Sequence, residues 1–286
     1  MKADLVQDCA NQHGEGIQWN AHDGRLWWTD IHGQRMCWHD PTAGVSGSHD
    51  MPQRLCAFAP RARGGWIMAF SDGVELWSAA LHLEQSLFAF EPDNGGTRLN
   101  DGRTDRQGRF VVGGMNEGTG SADSTVVRVN ADLSVDTLIR GVACANSICF
   151  SPDGRTMYFA DTPDRRIRSY PYGDALGAPR DLIDMAGEPG LPDGSCVDAE
   201  GGVWNAEWDG GQVIRIATDG RITHRIAVPV PKPTCCAFGG PALATLYITS
   251  SRLGMTEADI AKTPLSGGLF AATPGVRGIA DAAFAG

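Results

Sequence analysis

Four oxygen-bearing side chains, Glu15, Asn100, Asn146 and Asp193, recur at one position of a repeated sequence unit, and their types could do chemistry. The unit is clearest at residues 191–204, L-P-D-G-S-C-V-D-A-E-G-G-V-W, where Asp193 holds the position. Asn146 holds it in A-N-S-I-C-F-S-P-D-G-R-T-M-Y, Asn100 in L-N-D-G-R-T-D-R-Q-G-R-F, and Glu15 in G-E-G-I-Q-W-N-A-H-D-G-R-L-W. Brought together, Glu15, Asn146 and Asp193 would offer two carboxylates and one amide oxygen, a hard-ligand set suited to a divalent cation such as calcium, magnesium or manganese. Asn100 could add an oxygen directly or through water. Asp-Gly and Asn-Asp-Gly sequences also occur in turns for backbone reasons alone. What sets these four apart is their shared place at the start of a strand. Asp23, Asp153 and Glu200, each just before a glycine, read instead as turn residues.

For residues so far apart in sequence to meet, the repeats must close into a ring. Six turn-plus-strand units are present: D-G-R-L-W-W-T-D, G-G-W-I-M-A-F, Q-G-R-F-V-V-G-G, D-G-R-T-M-Y-F-A-D, E-G-G-V-W-N-A-E and L-A-T-L-Y-I-T-S. In that register the special position falls at Glu15, Arg54, Asn100, Asn146, Asp193 and Thr234, a spacing of roughly 40 to 47 residues typical of four-stranded propeller blades. The fold expected is all-β: a six-bladed β-propeller with a metal site in the central channel, residues 1–286 forming one domain. Strands are expected at 25–31, 66–70, 109–113, 156–160, 202–206, 213–216 and 245–249, where aromatic and β-branched runs lie between Gly and Pro punctuation. Residues 256–262 make the one helix, with Thr256 as its cap and Pro264 as its stop. Residues 268–284 should complete the last blade together with the amino terminus. The Gly-, Asn- and Pro-rich stretch 91–98 reads as a loop between blades rather than a lid.

The chain has 286 residues and a formal net charge of -10, enough length for a large core and the wrong sign for nucleic acid or anionic membranes. No stretch approaches the roughly 20 apolar residues of a membrane span, and the first residues do not resemble a secretory signal, so a cytoplasmic location is expected. The eight cysteines have neither C-x-x-C pairs nor zinc spacing and are expected as buried free thiols. Zinc-protease, serine-hydrolase, phosphate-loop and dinucleotide signatures are absent. Of the scattered histidines only His13 adjoins a candidate residue, and it is expected at the surface or in a loop.

The sequence resembles the family of senescence marker protein 30, gluconolactonase and luciferin-regenerating enzyme, whose members are six-bladed propellers with a metal in the channel. The likeness runs from about residue 14 to 270. It is carried by G-E-G at 14–16, R-L-N-D-G at 98–102, S-P-D-G at 151–154, P-D-G-S-C-V-D-A-E-G at 192–201, C-C-A-F-G-G at 235–240 and G-G-L-F at 267–270. The resemblance implies that Glu15, Asn146 and Asp193 are the metal ligands, that Arg98 and Asn100 contact substrate with support from Asp101, and that Glu117 is an acidic substrate contact. One departure stands out: many relatives have Asn-Gly where this chain has Asn146-Ser147. The segment 252–265 is also similar to the sugar-lactone hydrolases.

The activity implied is hydrolysis of an aldonolactone, a pentono- or hexonolactone, to the open aldonic acid. The cofactor implied is one divalent cation, calcium first, with zinc, manganese, magnesium and iron as alternatives. It would polarise the carbonyl and supply a bound water, with Asp193 as general base. The partner is then a small sugar lactone, with neither nucleic acid nor membrane involved. Two rivals remain at this stage: a calcium-binding regulatory propeller and a protein-interaction propeller, both without lactonase activity.

Overall fold

A computed structural model describes all residues, 1–286. Strand β1 (Asp4–Gln7) precedes the first complete blade, β2 (Gly14–Asn20), β3 (Arg25–Asp30), β4 (Arg35–Asp40) and β5 (Val45–Asp50). Blade 2 is β6 (Leu55–Pro60), β7 (Trp66–Phe70), β8 (Gly73–Trp77) and β9 (Leu83–Ala89). Blade 3 is β10 (Thr97–Thr104), β11 (Phe110–Asn116), β12 (Ser124–Val129) and β13 (Val135–Val142). Blade 4 is β14 (Ala145–Phe150), β15 (Thr156–Asp161), β16 (Arg166–Pro171) and β17 (Arg180–Asp184). Blade 5 is β18 (Leu191–Val197), β19 (Val203–Trp208), β20 (Gln212–Ile216) and β21 (Ile222–Ala227). Blade 6 takes β22 (Pro233–Gly239), β23 (Thr245–Ser250) and β24 (Leu269–Ala272) from the carboxy-terminal end and β1 as its outermost strand. The ring is thus closed by strand pairing between the two ends of the chain, Leu5 facing Phe270.

Radial repetition dictates the packing. The apolar core divides into six clusters, one between each pair of neighbouring blades. Trp28 and Trp204, both fully buried, belong to the clusters between blades 6 and 1 and between blades 5 and 6. Innermost strands are buried along their length, as in β14 and β22, whereas the outermost β9 and β13 are largely exposed. Burial on both faces explains why the inner strands lack clear apolar-polar alternation.

The end of the chain adds only one strand, not several. Beyond β24 the tail crosses the ends of the inner strands opposite the candidate residues. Gly278 bridges to Asp198, Asp281 pairs with Arg103, and Phe284 N donates to Pro60 O at 2.8 Å. Helix α1 (Glu257–Lys262) follows the expected chemistry, with Thr256 and Asp259 forming a reciprocal capping box. Stretch 91–98 is an ordinary connection: the Glu91 carboxylate accepts from Thr125 at 2.8 Å, and β10 has already begun at Thr97, so Arg98 lies in a strand. All eight cysteines are free, six of them buried. No helix is long and apolar enough to cross a membrane.

Candidate active site

One backbone device positions the candidate side chains. In each of the six innermost strands, pairing with the next strand slips at or beside the repeated position: Glu15/Gln18, Leu55/Ala57, Leu99/Gly102, Asn146/Cys149, Pro192/Ser195 and Pro233/Cys236. A bulge inserts residues without a ladder partner and re-aims their side chains. Here it lets a strand otherwise committed to core packing present a polar group to the channel. In two of the six bulges the residue after the candidate is left-handed, Gly16 (φ +60) after Glu15 and Ser147 (φ +59) after Asn146. Ser147 thus adopts the backbone that glycine adopts freely.

Glu15, Asn146 and Asp193 are all buried, at 8, 6 and 5% exposure. The Glu15 and Asp193 carboxyls face each other, and each shifts the proton affinity of the other. Burial, reinforced by the charge of Asp101, pushes Glu15 up to about 8. Burial and then the facing Glu15 push Asp193 well above the usual carboxylate range. Asp101 is raised as well, chiefly by burial, although its Oδ2 accepts from Ile148 N at 2.8 Å. The charge of Asp101 thus bears on both Glu15 and Asp193, an arrangement that favours protonation or a cation.

The Asn146 amide is oriented by its neighbours. Thr162 Oγ1 donates to Pro192 O at 3.0 Å and so accepts from Asn146 Nδ2 at 2.8 Å. That leaves Oδ1 toward the channel, where Asn100 Nδ2 approaches at 3.4 Å. No three His, Cys, Asp or Glu side chains stand together at metal-ligand spacing; the third oxygen of this set is an amide.

A second group lies on the side of blades 2 and 3. Arg98 is buried; its Nη1 donates to Asn100 Oδ1 at 2.8 Å and to Leu99 O at 2.9 Å, and its Nε donates to Glu117 Oε1 at 3.0 Å. Asn100 Nδ2 donates to Ala145 O at 2.9 Å, tying blade 3 to blade 4 one residue before Asn146. Glu117 is exposed and also accepts from Arg54 Nη1 at 2.8 Å. Partial burial raises its carboxyl, but the Arg54 hydrogen bond and the Arg98 charge outweigh this and bring it down to about 2. Arg98, Asn100 and Glu117 therefore form one unit, with Asn100 Oδ1 occupied by Arg98. Arg54 completes that unit; its membership of the repeated position was the only sequence signal for it. Thr234, in the sixth such position, is consumed structurally: its Oγ1 contacts Gly14 O at 2.5 Å and Thr249 Oγ1 at 2.9 Å.

His13 is not at the surface, contrary to the expectation from sequence. It is 7% exposed, bridges Ser251 through the backbone and through Nδ1···Oγ at 2.9 Å, and packs edge-on against His32 and Trp208. Burial, with the Arg98 charge second, lowers it to about 3, so it is a neutral wall residue. His32 and Trp208 carried no sequence signal; the β2–β3 hairpin brings His32 to His13, and only the closed ring brings Trp208 there. A surface cavity of about 1020 Å3 is lined by Trp19, Trp27 and Trp66 of blades 1 and 2, among others, and by none of the candidate residues.

With this geometry the chain can be set beside known proteins. Residues 13–252 match the model of the SMP-30/Gluconolactonase/LRE-like region. The chain is 38% identical to an L-arabinolactonase of Azospirillum brasilense, covering 100% of this chain and 96% of that protein. It is 36% identical to a 6-deoxy-6-sulfogluconolactonase of Pseudomonas putida, covering 96% of this chain and 95% of that one. A calcium-binding regucalcin from Agrobacterium tumefaciens superposes with a TM-score of 0.94 at 31% identity, over 99% of this chain and 97% of that structure. The chain belongs to the SMP-30/gluconolactonase/LRE-like family.

Proposed function

We propose that this propeller is a divalent-metal-dependent hydrolase that opens an aldonolactone, of the pentono- or hexonolactone class, to the aldonic acid. The observation that carries it is the pair of buried carboxyls Glu15 and Asp193, set with the oriented Asn146 amide at the same bulged position of three inner strands, in a chain with relatives named for sugar lactones.

The donor set fits a hard cation: two carboxylates with no cationic side chain hydrogen-bonded to either, and an amide whose nitrogen is committed to Thr162. Glu15, Asn146 and Asp193 would hold it. When bound, the cation supplies Lewis acidity toward the lactone carbonyl and keeps both carboxyls ionised. Asp193, once ionised, takes a proton from the water that attacks the carbonyl carbon, which contributes roughly 10²–10⁴-fold. The acyl C–O bond of the ring then breaks, and the ring oxygen takes up the proton held on Asp193 and leaves as a hydroxyl, which returns the carboxylate. Glu117 accepts from sugar hydroxyls and Arg54 donates to them; Arg98 holds Glu117 and Asn100 in register, so the sugar is oriented before reaction.

A panel of aldonolactones, assayed by acid release with wild type and Asp193→Asn, tests the proposal: turnover that the variant loses supports it, and no turnover of any lactone sinks it. The second candidate is a calcium-binding protein without lactonase activity, favoured by the solved neighbour described as calcium-binding. Tight calcium binding with no lactone turned over is the outcome that would select it.

A further inference from the structure

Ser147 stands where the backbone is left-handed, φ +59, and its side chain is fully buried between blades 4 and 5. L side chains rarely adopt that conformation, and one that persists needs surroundings that over-determine it. Those surroundings are unusually complete here. Ser147 Oγ donates to Asp193 O at 2.7 Å and accepts from Ser195 Oγ at 3.1 Å and Asn205 Nδ2 at 3.0 Å, which uses the whole capacity of a hydroxyl. Asn205 Nδ2 also donates to Asp193 O at 2.8 Å and to Ser195 Oγ at 3.0 Å. Ser147, Ser195 and Asn205 are each at most 1% exposed.

Position gives the network its meaning. Ser147 follows Asn146 in the blade 4 bulge, and the carbonyl it grips belongs to Asp193 in the blade 5 bulge. The hydroxyl therefore joins the two bulges that carry two of the three candidate ligands. Nothing else in the network touches the blade 4 bulge: Ser195 and Asn205 both belong to blade 5 and reach blade 4 only through Ser147 Oγ.

Given Glu15, Asn146 and Asp193 as the ligand set proposed above, we infer that Ser147 is a positioning residue: its hydroxyl fixes the Asn146 amide oxygen against the Asp193 carboxylate and thereby sets the affinity of the channel for its cation. Glycine would satisfy the backbone at this position and would leave the two bulges joined only through Thr162, which accepts from the Asn146 amide and donates to Pro192 O. Outer groups that orient ligands typically carry about 10–100-fold in metal affinity.

The test compares Ser147→Gly with Ser147→Ala. Glycine relieves the left-handed backbone and removes the hydroxyl; alanine removes the hydroxyl and keeps the strain. Calorimetric titration of metal-stripped protein with manganese at 25 °C reads the dissociation constant of folded protein directly, and lactone turnover at saturating manganese reads kcat. A positioning hydroxyl predicts a Kd weakened about 10-fold or more in both variants, with kcat at saturating manganese within about twofold of wild type. A purely conformational role predicts that Ser147→Gly binds manganese as wild type does or better, and that result overturns the inference, whatever the melting temperatures do. If Ser147→Ala fails to fold, Ser147→Gly alone decides. Wild type that binds no manganese overturns the ligand assignment itself, a failure distinct from a wild-type Kd in Ser147→Gly.

Discussion

Binding a divalent cation between Glu15 and Asp193 must expel protons, because the metal-free pair holds them. Glu15 is pushed up to about 8 by burial and Asp101, so at pH 7 about 0.9 of it is protonated. Asp193 is raised well above its ordinary value by burial and then by the facing Glu15. Metal ligands bind ionised. Calcium binding at pH 7 should therefore release at least about one proton, that of Glu15, and Kd should tighten by about 10-fold or more per pH unit well below pH 8. Above pH 9, where about a tenth of Glu15 remains protonated, that proton should contribute little. Calorimetry in two buffers of different ionisation enthalpy counts the protons directly. Glu15→Gln should lower the count at pH 7 by about one while weakening binding. Release below about 0.3 protons at pH 7, with a Kd flat between about pH 6 and 8, would refute the reasoning: the carboxyls would be ionised before binding, or would not be ligands.

Three further outcomes are expected. Asp193→Asn keeps one ligand oxygen and loses the base, so kcat at saturating metal should fall about 10²-fold or more; recovery as metal is raised would mean that Asp193 only ligates. Arg98→Ala leaves Asn100 Oδ1 and Glu117 without their partner, so kcat/KM should fall roughly 10- to 150-fold, about 1.5–3 kcal/mol. Calcium Kd should be unchanged in that variant, and loss of metal binding with the fold intact would contradict the assignment. The melting temperature of metal-free protein should fall between about pH 5 and 8: the folded pKa of Glu15 is raised above its ordinary 4.5, so its stabilising contribution is complete below that value and is lost as pH rises through about 8. Saturating calcium or Glu15→Gln should flatten that dependence, and a metal-free protein with a flat profile would show that Glu15 is not held protonated by the fold.

The ring was legible because a propeller writes its symmetry into the sequence. Each blade repeats a turn glycine, a strand and a polar strand start, so Glu15, Asn146 and Asp193 could be aligned before any coordinates existed. Asp23 and Asp153 were equally legible as turn residues, their carboxylates accepting from Arg25 N and Arg155 N two residues on. What could not be read was side-chain pairing across blades. Arg98 folds onto Asn100 and Glu117 rather than outward, and Arg54 completes the group from a different blade. The burial of His13 depends on Ser251 and Trp208, more than 190 residues away, which no local pattern reports. The tail around Phe284 looked like strand material because it is apolar; its backbone is used instead to tie the ends of inner strands from blades 2 and 3, through Pro60 and Gly108. The bulges also escaped notice in the sequence, since Gly16 and Ser147 share a conformation without sharing a residue type.

The central claim is that the Glu15, Asn146 and Asp193 site opens a sugar lactone with the help of one cation. Its most direct test is a titration of metal-stripped protein with calcium, manganese and zinc in turn, following aldonolactone hydrolysis and bound metal in the same samples. The account predicts negligible turnover without metal and a rise that saturates at one equivalent per chain for at least one of the ions. Full turnover by the stripped protein, or saturated binding with no turnover of any lactone, would contradict it.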